Sequence, residues 1–210
     1  MRYQLVLAFI LSLFCSNLFA QQEQPLTRIL FIFDASNSMN GVWDNKPKID
    51  VATRLLSTAL DSLKDIENLE MALRVYGHEK YYQKGQDCDD TKLLVPFGTR
   101  NAVRMKNELR QLKPKGTTPI AATLEKSADD FPSCPRSECR NIIILITDGI
   151  EECNGDPCAV SLALQKRNII LKPFVIGVGL NVEFREAFEF VGTYFDATNE
   201  KKFKSALDIV

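Results

Sequence analysis

"FIFDASNSMNG", residues 31–41, decides how the rest of the chain is read. An apolar strand, Leu30 to Asp34, ends on an acid, and hydroxyls follow it at two-residue intervals, Ser36 and Ser38. Asp, Ser and Asn are what a turn or a helix N-cap prefers, so one reading is a polar turn leading into a helix. The other is a set of hard oxygen donors placed for a cation, a reading that depends on what other segments come to the same edge.

Outward from this stretch the pattern alternates. "KIDVATRLLSTALDSLK" carries Ile49, Ala52, Leu55, Leu56, Ala59, Leu60 and Leu63 on one stripe, a helix of four turns. "EMALRVYG" alternates Met71, Leu73 and Val75 with Glu70 and Arg74, which predicts a half-exposed strand towards a sheet edge. "TKLLVPFG" is a short strand whose Pro96 also argues for an edge. A helix spans Ala102 to Leu112 and is stopped by Lys113-Pro114. In "GTTPIAATLEKSADDF", Thr118 is the expected N-cap and Pro119 the first helical residue.

"NIIILITDG" then runs apolar from Ile142 before Asp148 and Gly149, as a strand covered on both faces does. Asp156 and Pro157 cap the helix "PCAVSLALQKR". "IILKPFVIGVG" supplies a strand expected to start after Pro173. Helix "NVEFREAFEFV", strand "TYFDAT" and helix "EKKFKSALDIV" close the chain. The expected fold is a doubly wound α/β domain, with a mostly parallel central sheet, helices on both faces and one antiparallel edge strand. Ligands of such sheets bind beyond the carboxyl ends of the strands. Asp34, Asp148 and the helix start at Thr118 all fall at that edge.

The first twenty residues hold Arg2, an apolar run and Ala20 before "QQEQP", the pattern of a cleaved secretory signal peptide. A short linker, 21–27, and one domain, 28–210, follow. The apolar run is short for a bilayer, lacks a positive far flank, and has no later counterpart of spanning length. An exported location follows: periplasm, cell surface or exterior. Without Arg2 the chain carries 25 basic against 27 acidic residues and no extended basic run, which argues against nucleic acid as a partner.

Cys15 leaves with the signal, so five cysteines remain, an odd number. "CPRSEC" and "CNGDPC" allow two local bridges, Cys134 to Cys139 and Cys153 to Cys158, leaving Cys88 over. The sequence leaves open a bridge from Cys88 to Cys153 or Cys158, and a zinc site on the four paired cysteines. An oxidising compartment favours disulfides over zinc.

D-x-S-x-S at Asp34, Ser36 and Ser38, "GTTP" at a helix start and "TDG" after a buried strand resemble, in this order, the von Willebrand factor type A domain with its metal-ion-dependent adhesion site. The resemblance covers nearly all of the chain from Arg28. "LRVYGH", "CDDTKLLVPFG", "GTTPIAATL" and "TDGIEECNGDPC" are similar to a bacterial exported branch of that family. It implies that Ser36, Ser38 and Thr118 offer hydroxyls directly to the metal, while Asp34 and Asp148 act mainly through bound waters. Mg2+, which takes six hard oxygens and keeps several waters, suits that set; Mn2+ and Ca2+ are the other choices. An open position on the ion would take an Asp or Glu carboxylate from a protein partner. Thr117, where the family usually has glycine, competes with Thr118, which is favoured because it directly precedes the proline.

The remaining chemistry-bearing residues have bland readings beside sharper ones. Trp43 is either an exposed contact beside the site or a packed loop anchor. His78, the single histidine, reads as structural rather than catalytic, and Asp87, Asp89 and Asp90 as a solvated acidic loop rather than a second cation site. The function expected is a cation-dependent adhesion or assembly module of the cell envelope or exterior, not an enzyme. One alternative is a hydrolase of the haloacid phosphatase type, which needs a second acid two residues after the first where this chain has Ser36. The other is a non-catalytic subunit of an envelope complex. Neither a nucleophile elbow, a P-loop nor a zinc-protease motif is present.

Overall fold

The computed structural model describes residues 25–43, 45–175 and 195–196. The leader and the last two expected helices lie outside those residues. The central sheet has the order β5-β4-β1-β6-β7-β8. Its strands are β1 (Leu26–Asp34), β4 (Leu69–Tyr76), β5 (Thr91–Gly98), β6 (Cys139–Thr147), β7 (Ile169–Val175) and β8 (Phe195–Asp196); a hairpin, β2 (Val42–Trp43) and β3 (Lys46–Pro47), stands apart. Every pairing in the sheet is parallel except β4 with β5, so β5 is the antiparallel edge strand.

The helices are α1 (Lys48–Leu63), α2 (Ala102–Gln111), α3 (Ile120–Ser127) and α4 (Pro157–Lys166). None of the described helices is long and apolar enough to cross a membrane. Because strand side chains alternate between faces, β1 serves two cores. Ile29, Phe31 and Phe33 pack with α1 and α2, while Leu30 and Ile32 pack with α3 and α4. β6 divides in the same way, Ile142, Ile144 and Ile146 to one side and Ile143 and Leu145 to the other. This two-sided burial explains why both strands read as unbroken apolar runs. It also fixes their carboxyl ends, Asp34 and Thr147, side by side at one edge.

Three local expectations are corrected. β4 is an interior strand between β1 and β5, nearly all buried, not a half-exposed edge strand. Its polar positions meet charges rather than water: Arg74 forms a two-pronged pair with Asp130 at 2.7 and 2.7 Å, and Glu70 accepts from Arg28 at 2.8 Å. β7 runs through Pro173 instead of starting beyond it. Among the described residues β8 pairs only with Phe174 and Val175, so at Pro173 one flank of β7 carries no ladder that a missing N–H would break. β1 begins at Leu26, inside the expected linker.

The cysteines form Cys88–Cys153 and Cys134–Cys139. The local Cys153 to Cys158 bridge does not form, and Cys158 keeps its thiol on α4. The physical reason is that the loop after β4 folds over the loop after β6, which brings Cys88 to Cys153. Asp156 caps α4 as expected, accepting from the Ala159 N–H at 3.0 Å with Pro157 at the first helical position.

Candidate metal centre

β1 delivers Asp34 to the sheet edge with no exposed surface. Its Oδ1 accepts the Ser36 N–H at 2.7 Å; its Oδ2 accepts the Tyr76 hydroxyl at 2.8 Å and the Thr147 hydroxyl at 2.7 Å. Burial, and then the negative charge of Asp148, raise its carboxyl to about 6, against the hydrogen bonds that favour the ionised form. The Tyr76 phenol is pushed well above its usual range, by burial first and by Asp34 next, so it stays a donor.

The two serines relay towards the second acid. Ser38 donates to Asp148 Oδ1 at 2.7 Å, which leaves the Ser36 hydroxyl as donor in its 2.9 Å contact with Ser38. Asp148 Oδ2 takes the Lys48 ammonium at 2.6 Å, and the Asp148 side chain has no exposure of its own. Lys48 stands at the first turn of α1, where the helix dipole disfavours a cation. The attraction of Asp148 outweighs that placement.

Thr118 completes the edge. A side-chain carbon at Gly149 would come within 3.4 Å of the Thr118 hydroxyl and 3.7 Å of the Ser38 hydroxyl, so both hydroxyls border the small space that glycine leaves open. Among the described residues nothing accepts from or donates to the Thr118 hydroxyl, although the residue is buried. Thr117, by contrast, spends its hydroxyl on the Asp87 carbonyl at 2.7 Å. Its backbone is outside the left-handed region, so the position usually held by glycine costs no strain.

Thr118 does not cap the helix with its side chain, as its place before Pro119 suggested; α3 starts at Ile120. The amides at its start are served by two acids from the loop after β6. Glu152 accepts the Thr118 N–H at 2.9 Å, and Glu151 accepts the Ala121 N–H and the Cys153 N–H, each at 2.7 Å. Carboxylates are favoured at a helix N-terminus.

The loops are locked backbone to backbone. Ser36 bridges Gly116, the Asn37 N–H reaches the Gly116 carbonyl at 2.8 Å, and the Gly116 N–H reaches that of Gly77 at 2.8 Å. Gly77 has φ +71°, and a side-chain carbon there would lie 2.7 Å from Ser36 Cα and from the Thr117 carbonyl. Only glycine admits both the conformation and the approach.

Asp34, Ser36, Ser38, Thr118 and Asp148 are thus drawn together from three segments. Lys48, Tyr76, Thr147, Glu151 and Glu152 support them and were not singled out from the sequence; "TDGIEEC" held a signal for the last two, as acids opposite a helix start. Trp43 packs against the core under α1 as a loop anchor. His78 faces Asp90 across 3.4 Å at the base of the loop after β4. The acidic trio does not converge: Asp90 is buried and accepts the Glu79 N–H, Asp87 accepts the Asp89 N–H, and Asp89 pairs with Lys126. Among the described residues no group of three acids, histidines or cysteines is placed to hold a metal.

The family model described as von Willebrand factor type A domain matches residues 29–151. The chain belongs to this family. The uncharacterised protein YwmD of Bacillus subtilis (strain 168) is similar, 31% identical over 196 residues, 90% of this chain and 86% of that protein. Among solved structures, proximal thread matrix protein 1 from the mussel byssus, with a zinc-occupied MIDAS motif, superposes with a TM-score of 0.66 at 18% identity. The match covers 88% of this chain and 46% of the mussel protein. The pilus adhesin SpaC from Lactobacillus rhamnosus GG gives a TM-score of 0.71 at 13% identity, over 90% of this chain and 30% of the adhesin. This type A domain spans less than half of either of those chains, and at such identities the likeness is one of fold.

Proposed function

We propose that this type A domain binds a protein partner through a divalent cation held by Ser36, Ser38 and Thr118, with Asp34 and Asp148 balancing its charge. The observation that carries the reading is the Thr118 hydroxyl, which no described residue engages and which borders, with Ser38, the space beside Gly149. A hydroxyl that the protein leaves unengaged beside two acids is a ready oxygen donor for a hard cation. The donor chemistry fits a hard ion: hydroxyls and two buried carboxylates, only one of which is neutralised by a lysine. Mg2+ suits this set best, with Mn2+ and Ca2+ as alternatives.

When bound, the cation supplies an electrophile for an Asp or Glu carboxylate of the partner. Tyr76 and Thr147 fix the Asp34 carboxylate, and Gly149 leaves the approach open. The zinc-occupied MIDAS of the mussel protein supports metal binding on this fold, and the pilus adhesin supports a role in adhesion or assembly outside the cytoplasm. The leader expected over 1–20 agrees with export. The protein acts here as a binding module and not as an enzyme. Asp34 has both oxygens occupied by three donors, which suits a fixed charge and not a nucleophile.

Calorimetry with MgCl2 tests the reading. Thr118→Ala and Ser38→Ala should each weaken binding by about tenfold or more with the fold retained; unchanged affinity in both sinks it. A pull-down from envelope extracts, with and without chelator, tests the partner.

A further inference from the structure

The loop between β4 and β5 packs against the segment that carries Thr118 and against the loop after β6. Cys88–Cys153 ties it to the loop after β6, Gln86 donates to the Glu152 carbonyl, and the Tyr82 N–H reaches the Lys115 carbonyl at 2.7 Å. Its outer side carries Tyr81 and Tyr82, each 50% exposed, a large display for side chains with so much to bury. Val42 of the β2–β3 hairpin and Ile150 of the loop after β6 are exposed as well.

The charges of this loop are unevenly settled. Each of its acids has a partner: Glu79 with Lys92, Asp87 with the Asp89 N–H, Asp89 with Lys126, and Asp90 with His78 and the Glu79 N–H. Its lysines do not. Among the described residues no acid lies within ion-pair distance of Lys80, Lys84 or Lys115. Yet the Lys84 and Lys115 ammonium groups sit 5.9 and 5.5 Å from the Tyr81 ring centre, and that of Lys80 lies beside Gly85. The ring's negative face eases their mutual repulsion but leaves the charge unneutralised.

We infer that Lys84 and Lys115, set about Tyr81, form a second contact point for an acidic protein segment whose first carboxylate is bound at the metal centre. This deepens the reading proposed above and rests on it. Lys115 precedes Thr118 by three residues, so the two backbones are at most about 11 Å apart. An extended segment spans that with acids about two to four residues apart. Half-exposed tyrosines are typical of protein interfaces, and the cluster holds no arginine, the residue that grips phosphate or sulfate in two-pronged fashion.

Fluorescence anisotropy on short labelled Gly-Ser peptides tests this, comparing one Asp, two Asp three residues apart, and the matching Asn peptides, in Mg2+ and in EDTA. The two-Asp peptide should bind about three- to tenfold tighter than the one-Asp peptide in Mg2+. Lys84→Gln/Lys115→Gln should abolish that advantage while leaving one-Asp binding and the calorimetric Mg2+ affinity unchanged. An advantage that survives in the lysine variant overturns the inference, as does failure of the two-Asp peptide to bind at millimolar concentration. Equal lysine-dependent binding of polygalacturonate would move the assignment from protein to acidic polysaccharide and overturn it too. Thr118→Ala reports on the metal reading separately: it should weaken Mg2+ and one-Asp binding together, whatever the lysines do.

Discussion

Replacing Lys48 by methionine separates two roles that its ammonium holds at once. The Lys48–Asp148 contact at 2.6 Å joins an acid side chain of no exposure to a lysine side chain exposed by 18%. Removing one partner of a buried pair costs about 3–5 kcal/mol, because the other is left as an uncompensated charge. The partial exposure of Lys48 puts the loss near the lower end, about 3 kcal/mol. Methionine keeps most of the stem that lies against Gly41, so packing contributes little. It also removes a cation from the first turn of α1, which returns about 0.5 kcal/mol. The net expectation is a loss of about 2–3 kcal/mol in urea denaturation in EDTA.

The cation reverses the sign of part of this. With Lys48 gone, Asp148 presents an unneutralised oxygen to the metal centre, so Mg2+ should bind the variant about tenfold more tightly, a difference of about 1.4 kcal/mol. Saturating Mg2+ should therefore recover about half of the stability lost in EDTA. Urea curves in EDTA and in MgCl2, with calorimetry on both proteins, read both quantities. Equal destabilisation in the two media with unchanged Mg2+ affinity would refute the reasoning and leave Lys48 a purely structural partner of Asp148.

Three further outcomes follow from the same geometry. Removing Cys88–Cys153, which closes 65 residues of sequence, by a paired change to serine should cost about 4 kcal/mol in urea, against about 2 kcal/mol for Cys134–Cys139 with its separation of 5; equal losses would contradict the chain-entropy account. Asp130→Asn should cost about 3 kcal/mol by leaving the buried Arg74 half paired, whereas replacing both by apolar residues should restore most of it in thermal melts. Asp34 titrates near 6 folded and 3.8 free, so its protonated form stabilises the metal-free fold fully at low pH, and that stability is lost as pH rises through about 6. Melting in EDTA between pH 4 and 7 should flatten in Asp34→Asn, and Mg2+ binding to the native chain should fall as pH drops below about 6.

Most of the fold was legible because burial leaves a periodic mark. β1 and β6 face cores on both sides, so residues 29–33 and 142–146 are apolar without a break, and α1 faces one core, so a stripe appears. β4 shows where that logic ends. Its alternation of Met71, Leu73 and Val75 with Glu70 and Arg74 has the period of a strand half in water, yet the strand is interior. Sequence period reports polarity, not solvent: Arg74 satisfies its charge on Asp130, a residue beyond α3 that no local pattern couples to it. The cysteines fail for a related reason. Short spacing favours a local bridge, but which loops meet is set by the sheet, and the sheet brings Cys88 to Cys153.

At the metal centre, the residues that would touch the ion were readable because they sit in turns, where Asp, Ser, Thr and Gly stand out against apolar strands. Those that set its electrostatics were not. Lys48 looks like any exposed helix-start lysine, Tyr76 like a strand aromatic, and Thr147 like the end of an apolar run, since each acquires its role only from a carboxylate about seventy or more residues away or on the neighbouring strand. The division has a physical basis. Donors to an ion must be small and polar wherever they occur, whereas a group that balances a buried charge needs only to reach it. Residues of the second kind decide whether the same five side chains form a tight site or a weak one. Lys48 already neutralises one of the two buried acids, so the proposed metal centre is held together without an ion, and an incoming cation would have to compete with that lysine.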